Sequence, residues 1–164
     1  MSVTFNADEV LEMAERIERN GAAFYRKAAE VVSEPSQQKR LQELAAWEDE
    51  HRGTFASMRA QLTEKEREPQ VFDPDDDNSL YLAAMADRNV FDLDADLTAL
   101  LSSDATLEDI LKIAIGAEKD SIVFYVGMQP FLPERLGKGK VDDIINEEKG
   151  HIALLSRELR GLQQ

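Results

Sequence analysis

The sequence predicts an all-α fold, a four-helix bundle folded as a single domain over residues 1–164. Three observations point there. Four long segments repeat apolar residues at spacings of three and four, which is the period of one helical face. Glu18, Tyr25, Glu48 and His51 of the first half recur as Glu118, Tyr125, Glu148 and His151, one hundred positions later. A Glu on one helix with Glu-x-x-His on the next, given twice, is the ligand set with which a four-helix bundle holds two metal ions. The length of 164 residues, with 43% hydrophobic and 32% charged, suits one globular domain with a single core.

The first helix is expected over about residues 6–33. Asn6 followed by Glu9 resembles a capping box, in which each side chain satisfies a free amide at the helix start. Val10, Met13, Ala14, Ile17, Gly21, Phe24, Tyr25 and Ala28 form its stripe, with Glu18 on or beside it. The second helix is expected over about 36–62, starting near Ser33 or Ser36 with Pro35 tolerated in a first turn. Leu41, Leu44, Phe55, Met58 and Leu62 form an apolar stripe that Glu48 and His51 interrupt.

A connection of different composition follows, over about 63–105. EKEREPQ and DPDDDN read as linker, and LYLAAMADRNVF as a short helix packed on the bundle. A connection this long can cross from one end of a bundle to the other, so that the second and third helices run in the same direction. The third helix is expected over about 106–129, capped by Thr106 with Asp109 and stopped by Pro130 and Pro133. The fourth is expected over about 140–160, with Val141, Ile144, Ile145, Glu148, His151, Ile152 and Leu155 on one face. Gly150 inside it costs about 1 kcal/mol relative to Ala. Room for a neighbouring helix or a metal ligand is a candidate reason.

Residues three apart in a helix lie about 60° apart around the axis, one turn displaced. Glu48 with His51, and Glu148 with His151, can therefore reach one metal from one face. Residues seven apart return to nearly the same direction, roughly 10 Å along. Tyr25 thus stacks below Glu18 and Tyr125 below Glu118, each placed to donate a hydrogen bond to a ligating carboxylate. Four glutamates carry four negative charges and two divalent ions bring four positive ones, so the buried cluster is neutral when filled. Oxygen-rich ligation with one imidazole per metal suits iron or manganese better than a structural zinc. Asp49, Glu50 and Glu147 are expected in solvent, since their helical angles point away from the His pair. Trp47 is expected in the core. Asp73, Asp75 and Asp77 imitate the start of a calcium loop, but its sixth position is Asn78 and its twelfth Ala84.

The net charge of -14 disfavours nucleic acid as a partner. The chain has no cysteine, which excludes disulfides and thiolate metal sites. The segment MSVTFNADEV lacks the pattern of a secretory signal, and no apolar run approaches the roughly 20 residues that span a bilayer. A cytoplasmic protein without a membrane partner is the expectation.

IERNGAAFYRKAAE, WEDEH, AEKDSIVFY and NEEKGH together resemble the rubrerythrin branch of the ferritin-like superfamily. The resemblance covers essentially the whole chain, with least support between Thr63 and Ala105. It implies a ferritin-like four-helix bundle with a non-haem di-iron carboxylate site of two Fe ions per chain, Mn or Zn being substitutes. It also implies that Glu48 and Glu148 bridge the metals. Glu18, Glu118, His51 and His151 become terminal ligands, with Tyr25 and Tyr125 behind them. A homodimer is implied as well. Rubrerythrins carry a further glutamate where this chain has Ser121, and a cysteine-ligated iron centre that this chain lacks. The expected function is therefore redox chemistry on Fe(II) with O2 or hydrogen peroxide, fed by an external electron donor. Non-catalytic binding or storage of iron or another divalent metal is the alternative, and a helical interaction module with incidental metal is a third reading.

Overall fold

The structure, a computed structural model, describes residues 5–69, 74–86 and 97–164. Every regular element among the described residues is helical: α1 Ala7–Val31, α2 Pro35–Ala60, α3 Asp77–Ala86, α4 Leu107–Met128 and α5 Lys138–Leu162. Asn6 closes the start of α1 with a capping box, its Oδ1 accepting from the Glu9 amide while Glu9 accepts from the Asn6 amide. Thr106 and Asp109 do the same for α4. At α2 the cap differs from expectation. Pro35 is the first helical residue, where a missing N–H costs nothing. Glu34, rather than a serine, accepts from the Ser36 amide.

Two core clusters fix the topology. One joins the start of α1 (Val10, Leu11), the end of α2 (Phe55, Met58), the end of α4 (Phe124, Tyr125, Met128) and the start of α5 (Val141, Ile144). The other joins the end of α1 (Phe24, Tyr25, Ala28), the start of α2 (Leu41, Leu44), the start of α4 (Ile110, Leu111, Ala114) and Leu155 near the end of α5. Thus α1 and α2 are antiparallel, as are α4 and α5, while α2 and α4 run in the same direction. The segment between α2 and α4 must cross the length of the bundle, as its length suggested. Two hydrogen bonds of 3.0 Å from the Arg59 guanidinium to the Asp8 carboxylate lock the end of α2 to the start of α1.

Within the crossover, α3 buries Leu82 and its Tyr81 hydroxyl donates to the Val123 carbonyl at 3.0 Å. The helix starts before the LYLAAMADRNVF stretch, and the remainder expected over 87–91 lies outside the described residues. Asp73 of the calcium-like stretch lies outside them too. A 3-10 turn at Leu97–Leu100 packs Leu97 on the second cluster. The turn packs against α1, which also buries Ala29 beyond the single stripe read from sequence. Among the described residues no helix is long and apolar enough to cross a membrane.

Candidate metal centre

Between the two core clusters each long helix turns an acidic side chain inward. Glu18 comes from α1, Glu48 and His51 from α2, Glu118 from α4, Glu148 and His151 from α5, and all six are buried. Tyr25 and Tyr125 are buried beside them. Their ligand atoms fall into two groups, each within 4.8 Å: Glu18, Glu48, His51 and Glu148, and Glu48, Glu118, Glu148 and His151. Glu48 and Glu148 belong to both.

Both imidazoles point Nδ1 into the cluster. His51 Nδ1 lies 3.1 Å from Glu148 Oε1 and 3.7 Å from Glu18 Oε2. His151 Nδ1 lies 2.8 Å from Glu148 Oε2, 3.5 Å from Glu118 Oε1 and 3.6 Å from Glu48 Oε1. The tyrosines cross over: Tyr25 donates to Glu118 and Tyr125 to Glu18, each at 2.5 Å. Each therefore serves the carboxylate of the opposite half rather than the one above it on its own helix. Phe24 and Phe124 meet these rings edge-on and help to hold them.

The electrostatics are those of a cation site filled with protons. Burial pushes Glu48 well above the ordinary carboxyl range, and the nearby Glu18 and Glu148 charges add to it. Burial also raises Glu18, against the pull of His51, and lifts Glu118 to about 8. For Glu148 burial acts in the same sense, but hydrogen bonds from His151 and His51 win and hold it far below the usual range. Burial alone would keep both imidazoles neutral. The Glu148 and Glu18 carboxylates instead push His51 up to about 11, and Glu118 and Glu148 push His151 to about 9. Burial, then the Glu118 and Glu18 charges, keeps the hydroxyls of Tyr25 and Tyr125 protonated as donors.

The residues fit a pair of divalent cations. Glu18 Oε2 and Glu48 Oε1 are buried without a hydrogen-bond partner, although an orphaned buried polar atom costs about 1–3 kcal/mol. Both oxygens point into the cluster, where a cation would satisfy them. Gly21 gives Glu48 its room, since a Cβ there would sit 2.7 Å from Glu48 Oε2.

Glu147 is largely exposed and outside both ligand groups, as expected, yet it does not point away from the His pair: its Oε2 lies 2.8 Å from His51 Nε2, because α5 carries it across to α2. Helical angles about its own axis could not show that. Trp47 is 39% exposed rather than core. Its indole stacks on the His151 ring, with centroids 5.0 Å apart and planes 8° apart. Trp47 and Glu147 are themselves related by the offset of one hundred, a signal that could have paired them. A Cβ at Gly150 would have nothing within 4 Å, so neither a neighbouring helix nor a ligand accounts for that glycine.

No protein-family model and no curated protein sequence matches the chain. A solved structure does. The chain is similar to a Thermotoga maritima protein described as a candidate ferritin-like diiron-carboxylate protein, with a TM-score of 0.70 and 27% identity over 98% of each chain. The chain therefore has the ferritin-like all-α fold, and its buried glutamate–histidine cluster can bind a metal centre.

Proposed function

We propose that this is a dinuclear non-haem iron protein of the rubrerythrin-like branch, which oxidises Fe(II) with O2 or hydrogen peroxide. One observation carries the reading: two four-residue ligand groups that share Glu48 and Glu148. Shared carboxylates are what a bridged pair of metals requires. Glu18 with His51, and Glu118 with His151, complete one position each. Bound iron would supply the electrons for the oxidant and an open position at which it reacts.

The chain's own residues do the rest. Glu48 and Glu148, common to both ligand groups, would hold the two cations against mutual repulsion. Tyr125 fixes Glu18 Oε1, leaving the unpartnered Oε2 to ligate, and Tyr25 anchors Glu118 through Oε1. The flanking apolar clusters keep bulk water out. With no cysteine in the chain, sustained turnover draws electrons from an external donor.

Non-catalytic binding of iron or another divalent metal has one observation in its favour. Ser121 stands where rubrerythrins carry a further glutamate, and its hydroxyl donates to the Ala117 carbonyl at 3.0 Å instead of serving the cluster. Anaerobic loading with Fe(II), followed by O2 or H2O2, tests the redox reading. Loss of Fe(II) several-fold faster than in buffer is expected, and a rate equal to buffer would overturn it. Sustained oxidant consumption with a reductant present would exclude the purely binding role.

A further inference from the structure

The two metal positions share their bridging carboxylates but not their outer support. On the His51 side, the Nε2 edge meets the Glu147 carboxylate at 2.8 Å. Once a cation replaces the Nδ1 proton, that contact would keep the remaining proton on Nε2 and leave the Nδ1 lone pair for the ion. A carboxylate behind a ligating imidazole also raises its donor strength. On the His151 side, no described residue hydrogen-bonds Nε2. The ring is covered instead by the face of Trp47, which fixes its plane but accepts no proton. This side also opens onto a groove of about 410 Å3 lined by Trp47, Glu147, Gly150, His151, Leu154 and Arg157.

We propose that Glu147 is a positioning residue that makes the two metal positions unequal, so that the His51 position fills first and holds its ion, while the His151 position, beside the Trp47 groove, fills second and exchanges. The inference rests on the dinuclear reading above. It divides the site into a resident ion and an exchangeable one. The difference arises at two residues, Glu147 and Trp47, that occupy equivalent places in the two halves but carry unlike chemistry.

The test uses Zn(II), which has no redox change of its own, on the full chain stripped of metal. Native mass spectrometry counts bound ions, calorimetry resolves the steps, and the emission of Trp47, the only tryptophan, reports on the ring it covers. Two ions per chain in two separated steps are expected, with the emission change confined to the second. Glu147→Gln keeps the shape of an exposed side chain, and circular dichroism checks that the variant is folded. The variant is expected to weaken the first step by about tenfold, the lower end of what removing such a partner costs. The second step stays in place, so the steps converge and the emission change moves into the first equivalent. In the zinc-loaded protein the ¹⁵N signal of His51 Nε2 should shift in the variant while that of His151 does not. An unchanged isotherm, equal weakening of both steps, or emission complete after one equivalent in the parent overturns the inference and leaves the dinuclear reading standing. A folded parent that binds no Zn(II) overturns both.

Discussion

The Tyr25 hydroxyl donates to Glu118 Oε1 at 2.5 Å, and Tyr125 returns the same bond to Glu18. α1 and α4 are thereby tied through two buried hydrogen bonds at the level of the cluster. Tyr25→Phe keeps the ring packing against Phe24 and removes one donor. Leaving a buried carboxylate oxygen unsatisfied costs about 1–3 kcal/mol. Urea unfolding of the metal-free variant should show that loss. Titration should show weaker binding at the Glu118 position, and no loss in either would mean that the bond is dispensable.

Glu48 and Glu148 belong to both ligand groups, so one change should disturb both metals. Glu48→Gln is expected to reduce binding from two ions per chain to fewer than one, counted by metal analysis after gel filtration. Parent protein at a metal concentration of about 100 times Kd gains about 2.7 kcal/mol of stability from binding. The variant should gain almost nothing. Its metal-free form should be no less stable than the parent, because burial already disfavours the charge on Glu48. Retention of two tightly bound ions would count against the bridging role.

Gly21 and Gly150 are both helical glycines with opposite surroundings. Either one replaced by Ala should gain up to about 1 kcal/mol from helix propensity. Nothing stands within 4 Å of a Cβ at Gly150, so Gly150→Ala should show that gain with metal binding intact. At Gly21 the Cβ meets the Glu48 carboxylate at 2.7 Å. That flexible end can move aside, which spares stability but displaces a ligand oxygen. Gly21→Ala is therefore expected to lower metal affinity by about tenfold or more, a loss on the scale of disturbing a ligand's support. Equal affinities for the two variants would refute this account.

The protonation of the cluster sets a pH dependence with a definite sign. His51 and His151 are raised from 6.5 to about 11 and about 9, so the stability they contribute is full below about pH 6.5 and is lost as pH rises through 9 and 11. Glu118, raised from 4.5 to about 8, acts in the same sense, its contribution being lost as pH rises through 8. Glu148 is depressed and acts oppositely, its contribution being present above about pH 4.5 and lost in acid. Metal-free protein should thus lose stability between about pH 6.5 and 9, measured as a falling urea midpoint. Metal displaces these protons, so affinity should rise over the same interval. A midpoint that climbs with pH in metal-free protein would contradict the protonation pattern.

The sequence by itself determined the helices, the caps at Asn6 and Thr106, and the inward set of four glutamates and two histidines. These features are local or periodic. A capping box spans four residues, a helical face repeats every three or four, and Glu-x-x-His needs only one turn. The length of the segment between α2 and α4 carried the parallel arrangement of those helices as well. Tertiary structure alone decided which side chains meet across helices. It gave Tyr25 to Glu118 rather than to its own half, set the exposed Glu147 on His51, and laid Trp47 over His151 at the surface. It also made Gly21 the space for Glu48. Each of those contacts depends on the rotation and axial offset of one helix against another. Core packing fixes these, and a single helix's periodicity does not contain them.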